Sequence, residues 1–145
     1  MPDCPFCAIV AGAPAHIVVD RAETLGFLDV RPLFPGHVLV IPKPHLETLA
    51  DLPTGDVAPL FGLVQLVAAG VEQAMQATGS FVAVNNKVSQ SVPHLHVHVV
   101  PRTKGDGLRG FFWPRQRYSG EAEMADVAGR IRTALDNLTT LPPSR

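Results

Sequence analysis

The chain carries little charge. Twelve Lys and Arg stand against thirteen Asp and Glu, and charged residues make up 17% of the whole. A net charge of −1 predicts no general attraction to nucleic acid or to an anionic membrane. No apolar run approaches the length of a membrane span. The first residues, Met1-Pro2-Asp3-Cys4, lack the basic region and apolar stretch of a secretion signal, so a soluble, cytoplasmic protein is expected. Without export, Asn137-Leu138-Thr139 is a chance match to a glycosylation acceptor. Repeats, low-complexity linkers and a Walker-type phosphate loop are also missing. At 145 residues the chain is most simply one domain, large enough for a real core.

Cysteine is confined to Cys4 and Cys7, in Cys-Pro-Phe-Cys. In a cytoplasmic chain this spacing reads as a metal half-site or a redox pair. The redox reading expects the pair between a strand and a helix, and no strand precedes it here. The metal half-site is preferred, with two ordinary thiols as the alternative.

What the chain does have is Pro93-His94-Leu95-His96-Val97-His98-Val99-Val100. A period of two predicts a β-strand with His94, His96 and His98 on one face and aliphatics on the other. Neighbouring rings on that face sit roughly 6–7 Å apart, close enough to share one ligand. The aliphatic face can pack on a core. The imidazole face cannot, unless something satisfies each ring.

Around this stretch the pattern predicts further elements. Residues 4–12 suit a short helix ending near Gly12. Residues 16–20 and 24–29 suit two strands of a hairpin, and 37–42 a third strand ended by proline. Capping residues and a proline at 51–56 open a long helix, apolar at Leu60, Leu63, Val64, Val67, Val71 and Met75, with Gly79 placed as its stop. Residues 81–85 suit a fourth strand and the histidines a fifth. A run of strands with one long helix inserted predicts an α+β fold, a five-stranded antiparallel sheet covered by the helix. Ser119 caps a last helix over 120–137, with Glu121 and Glu123 near its N-terminus. Residues 101–118 carry a charge of +4 and hold Phe111-Phe112-Trp113. Residues 141–145 read as a frayed tail.

Gly105-Asp106-Gly107-Leu108-Arg109-Gly110 matches a dinucleotide-binding pattern. Phe111-Phe112-Trp113-Pro114 cannot open the helix that pattern needs, so a plain loop is the better reading. Three histidines on a strand can hold a metal. They can also act as nucleophile and acid, since a neutral imidazole attacks phosphorus and a protonated neighbour donates to the leaving group. Asn85, Ser89, Gln90 and Ser91 just before the strand offer neutral hydrogen-bond donors, as a phosphate site wants, and are poor transition-metal ligands.

His-Leu-His-Val-His-Val-Val resembles the signature of the histidine-triad family. Cys-Pro-Phe-Cys, Phe-Leu-Asp-Val-Arg-Pro at 27–32, Pro-Gly-His-Val-Leu-Val-Ile-Pro-Lys at 35–43 and Ser-Gln-Ser-Val at 89–92 fall in that family's order. The resemblance covers a core of about residues 4–105, with an aromatic and basic extension and the last helix over 106–145. It implies a homodimer whose two five-stranded sheets join, and hydrolysis or transfer at the α-phosphate of a purine nucleotide. His96 would attack phosphorus and carry the nucleotidyl group. His98 would contact phosphate and assist the leaving group. Asp29 matches the position holding the ribose, Asn85, Gln90 and Ser91 belong to the nucleotide-binding loop, and His37 matches a histidine near the triad. Cys4, Cys7, His45 and His94 match the ligands of a structural zinc site, which would leave His96 free. Substrates would be nucleoside phosphoramidates or dinucleoside polyphosphates. Competing expectations are a zinc hydrolase using triad histidines as ligands, and a zinc-stabilised nucleotide sensor. DNA-end repair is disfavoured, because its relatives carry an added zinc finger and no cysteine follows Cys7.

Overall fold

Strand-forming runs separated by short turns pair in sequence, and one long apolar helix carries the chain across them. The computed structural model describes residues 3–108 and 116–139. Along the chain come α1 (Pro5–Val10), β1 (Ile17–Asp20), β2 (Thr24–Leu28), β3 (Val38–Pro42), a single 3₁₀ turn (Leu49–Asp51), α2 (Thr54–Ala74), β4 (Gly79–Val84), β5 (Val97–Arg102) and α3 (Glu121–Thr139). The sheet is five-stranded in the order β1-β2-β3-β5-β4, and every pair is antiparallel. The fold class is the α+β arrangement expected.

Pleating sorts the side chains. Val38, Val40, Leu95, Val97 and Val99 face α2 and bury against Leu60, Leu63, Val64, Val67 and Val71. Leu25, Phe27, Leu39 and Ile41 bury on the other side with Cys4 and Phe6 of the N-terminal segment. Pairing of Leu39 with His98 puts the imidazoles on this second face. The histidine strand therefore lies between two apolar layers.

Several boundaries differ from the sequence pattern. The β5 ladder starts at Val97, so His94 lies in a bend and His96 in unpaired chain just before it. The helix α2 ends at Ala74. Gln76, with φ of 54°, turns the chain, and Gly79 opens β4 instead of stopping the helix. The last helix starts one residue later than expected, with the Ser119 N–H donating to Glu123 at 2.9 Å. By length and composition α2 could cross a bilayer, contrary to the sequence expectation, yet its Leu60–Val71 face is packed on the sheet. Residues 1–106 and 107–145 form two compact units. The segment Phe111-Phe112-Trp113, with Arg109, Gly110 and Arg115, and the tail at 141–145 lie outside the described residues.

Candidate active site and metal site

Four ring-nitrogen contacts assign the protons at the histidines. A backbone N–H can only donate and a carbonyl can only accept. The Leu33 N–H donates to His37 Nδ1 at 3.0 Å, so His37 is neutral with its proton on Nε2. That Nε2–H donates to His98 Nδ1 at 2.9 Å, which places the His98 proton on Nε2. His96 Nδ1–H donates to the His94 carbonyl at 2.7 Å, so in the neutral ring the lone pair is on His96 Nε2. His94 Nε2–H donates to the Pro42 carbonyl at 2.8 Å, leaving a lone pair on His94 Nδ1.

His96 is only 3% exposed. Its Nε2 has no hydrogen bond among the described residues, and no fully buried side-chain nitrogen or oxygen there lacks a partner. Nε2 is thus the edge of the ring that solvent reaches. The His96 and His98 rings lie 4.9 Å apart, centre to centre. A basic nitrogen and an N–H donor therefore stand side by side at the start of β5.

Burial is the main force on these rings. It pushes His98 down to about 4, helped by His96 and His37 and opposed by Asp29. Burial also lowers His37, against the pull of Asp29, and lowers His94, against its bond to Pro42. A desolvated imidazole prefers its neutral form, so the assignments at His37, His94 and His98 hold at neutral pH.

The turn before β3 positions the relay. Asp29 Oδ1 accepts the Arg31 N–H at 2.9 Å, and Asp29 Oδ2 stands 3.7 Å from His37 Nε2. Gly36 has φ of +95°, and a Cβ there would lie 2.6 Å from Met75 Cγ. Only glycine fits that corner, which brings the Leu33 N–H over His37.

Asn85 and Ser91 are exposed on the loop leading into the histidine stretch. Gln90 is engaged at both ends of its amide. It accepts from Lys87 N at 2.7 Å and donates to the Glu47 carbonyl at 2.6 Å. Asn86 does the same work beside it, accepting the Leu49 N–H at 2.8 Å. Lys87 and Ser89 sit at φ of 69° and 59°, a left-handed conformation costly for residues with a side chain. The sequence reading missed Asn86, because an asparagine in a polar loop carries no signal of its partner.

Cys4, Cys7, His45 and His94 bring four ligand atoms within 4.8 Å of one another. Cys4 Sγ lies 3.5 Å and Cys7 Sγ 3.6 Å from His94 Nδ1, and Cys7 Sγ lies 3.3 Å from His45 Nδ1. Zinc bonds of roughly 2.0–2.3 Å give tetrahedral edges of about 3.5 Å. The donor set fits zinc in spacing, in ligand type and in tautomer, since His94 offers Nδ1 while Pro42 holds its other nitrogen. Burial, and then Cys4, raise the Cys7 thiol in the absence of a metal. Asp29, His37 and His98 also group their ligand atoms. There, however, the Leu33 N–H occupies His37 Nδ1 and the Nε2 proton bridges to His98, so hydrogen bonds already use those nitrogens.

Comparison with known proteins agrees with this geometry. The model of the HIT domain matches residues 11–105. An uncharacterized HIT-like protein of Mycobacterium tuberculosis is 38% identical over 108 residues, 72% of this chain and 75% of that protein. A bis(5'-nucleosyl)-tetraphosphatase of Schizosaccharomyces pombe is 39% identical over 82 residues, 55% of this chain and 45% of that one. The crystal structure of a zinc-bound histidine triad family protein from Mycobacterium smegmatis is 38% identical, with a TM-score of 0.70 over 89% of this chain and 98% of that one. On the match to more than half of its length, carried through the triad, this chain belongs to the HIT domain family.

Proposed function

We propose that the protein is a nucleotidyl hydrolase or transferase that works through a nucleotidyl-histidine intermediate. The observation that carries this is the outward lone pair of His96 Nε2 beside the outward N–H of His98. In the first step Nε2 attacks the α-phosphorus of a purine nucleotide derivative. A P–N bond forms and the bond to the leaving group breaks. His96 becomes an imidazolium, and its Nδ1–H bond to the His94 carbonyl strengthens with the charge. His98 Nε2–H holds the phosphoryl oxygens and the departing atom, which takes up a proton from solvent as it leaves. Water then attacks phosphorus and returns a proton to solvent, the P–N bond breaks, and the nucleoside monophosphate leaves with His96 neutral again. One water is consumed overall.

Asp29 takes the ribose hydroxyls, and Asn85 and Ser91 take phosphate oxygens. Gln90 serves the phosphate by fixing the loop that carries them. The leaving group is an amine, as in nucleoside phosphoramidates, or a nucleotide or phosphate, as in dinucleoside polyphosphates; the tetraphosphatase name of the yeast relative supports the second class. Zinc held by Cys4, Cys7, His45 and His94 supplies structure and no chemistry, as four protein ligands leave no open position. The zinc in the Mycobacterium smegmatis structure supports that assignment. The working form is a homodimer in the cytoplasm.

The test pairs adenosine phosphoramidate and diadenosine tetraphosphate with the purified protein. AMP release is followed, and intact mass spectrometry looks for an AMP adduct. Native protein is expected to show both, and His96→Ala neither. Turnover in His96→Ala, or turnover that stops at once on chelation while the fold persists, overturns the reading.

A further inference from the structure

Of the two residues between the cysteines, Pro5 is exposed and Phe6 is as buried as Cys4. Phe6 is 7% exposed and packs in the layer that holds Phe27, Leu39 and Ile41. Its ring centre lies 5.2 Å from that of His96 at an interplanar angle of 83°, and 5.9 Å from that of His94 at 72°. Phe27 closes on it from another side at 5.3 Å and 67°. Among the described residues, Phe6 is the phenyl ring that touches both the histidine of the Cys/His cluster and the histidine with the outward lone pair.

We propose that Phe6 is a positioning residue for His96, bracing the imidazole so that Nδ1 stays on the His94 carbonyl and Nε2 stays outward. This rests on the role given to His96 above. A histidine ring can turn about its Cβ–Cγ bond, and that torsion is broad. One hydrogen bond at 2.7 Å fixes one edge only. An edge-to-face neighbour removes the remaining freedom, because the swinging ring would have to pass through it. Phe6 is in turn fixed at both ends. Cys4 and Cys7 flank it, and the Cys7 N–H bonds to Cys4 Sγ at 3.4 Å. The knuckle thereby places a ring as well as two sulfurs, and its grip on His94 and its brace on His96 come from one turn of chain.

The experiment compares native protein with Phe6→Leu, and with Phe6→Met should the leucine variant fail to fold. Three quantities are read: bound metal per chain, steady-state kinetics, and the His96 tautomer in long-range ¹H–¹⁵N spectra at one fixed pH. The expected result is native metal content, unchanged KM, and kcat lower by about 10- to 100-fold, the scale of a misplaced reacting group. The His96 signals should move from a single Nδ1–H form to a mixture. A native tautomer in the variants overturns the proposal. So does a raised KM with native kcat, which would make Phe6 a wall of the substrate pocket, or loss of metal, which would make it part of the metal fold. If native protein turns nothing over, the reading of function fails by itself, and the tautomer alone decides the role of Phe6.

Discussion

At the residue scale, a chain of single hydrogen bonds decides what each histidine can do. His37 touches no element of the triad except His98, yet it sets which His98 nitrogen bears the proton. His37→Ala removes that donor and lets His98 choose either tautomer. Turnover is expected to fall by about 10²-fold, in the range for a misplaced acid–base group, while adduct formation on His96 survives; loss of the adduct would contradict the separate roles. The same burial that keeps the rings neutral makes folding depend on pH. His98 is pushed down to about 4, while an unfolded histidine titrates near ~6.5. Between those values the unfolded chain binds more protons, so unfolding becomes easier as pH falls through this window. The stabilisation is complete above the window. His37 is lowered in the same direction. With His98 only partly buried, about 1–2 kcal/mol is expected to be lost by pH 4. Urea midpoints of metal-free protein, taken from pH 7.5 to 4.5, check this; a flat profile contradicts it.

At the element scale, two clips hold the pieces on either side of the histidines. The first is the loop 85–91, fastened by Asn86 to Leu49 and by Gln90 to Glu47. These bonds offset the left-handed strain at Lys87 and Ser89. Asn86→Ala is expected to raise KM several-fold and cost about 1 kcal/mol, a typical net hydrogen bond, with kcat nearly kept; an unchanged KM would free the loop from any part in binding. The second clip is the cluster of Cys4, Cys7, His45 and His94, which ties α1 to the segment after β3. Zinc removal is expected to cost a few kcal/mol and lower Tm by on the order of 10 °C, by mass action on the folded state, measured by calorimetry with and without a chelator. Much of this was legible beforehand. Alternation placed the histidines on one face, and family order paired Cys4 and Cys7 with His45 and His94. What stayed illegible was made by backbone groups. The Leu33 N–H and the Pro42 carbonyl carry no residue identity, so no sequence pattern marks them. The stop at Gly79 failed for a related reason. Gln76 adopted the left-handed turn a glycine would have taken, and Gly79 was drawn into pairing with Arg102.

At the scale of the whole molecule, α2 asks for a partner. It runs for 21 residues with Asp56 and Glu72 as its charged positions. A helix apolar on nearly every side is a buried helix. Here one face buries Leu60, Leu63, Val64, Val67 and Val71, while Val57 is 40% and Leu66 52% exposed. A bilayer cannot supply the missing cover, since the face already packed on β3 and β5 would have to leave the sheet. A second copy can. Among the described residues β4 ends the sheet beside β5, and edge strands recruit other strands. Leu66 lines a groove with Val18, Val19 and Leu28 on the β1–β2 side of α2, whereas β4 ends the sheet on the other side, so the joined-sheet dimer proposed above rests on the β4 edge. Sedimentation of native protein is expected to give twice the chain mass. Leu66→Lys puts a charge on the β1–β2 side of α2 and leaves the β4 edge alone, so it is expected to sediment as a dimer with native circular dichroism and retained metal. A native monomer would remove the dimer. A monomer in Leu66→Lys would move the contact from the β4 edge to the groove between α2 and β1.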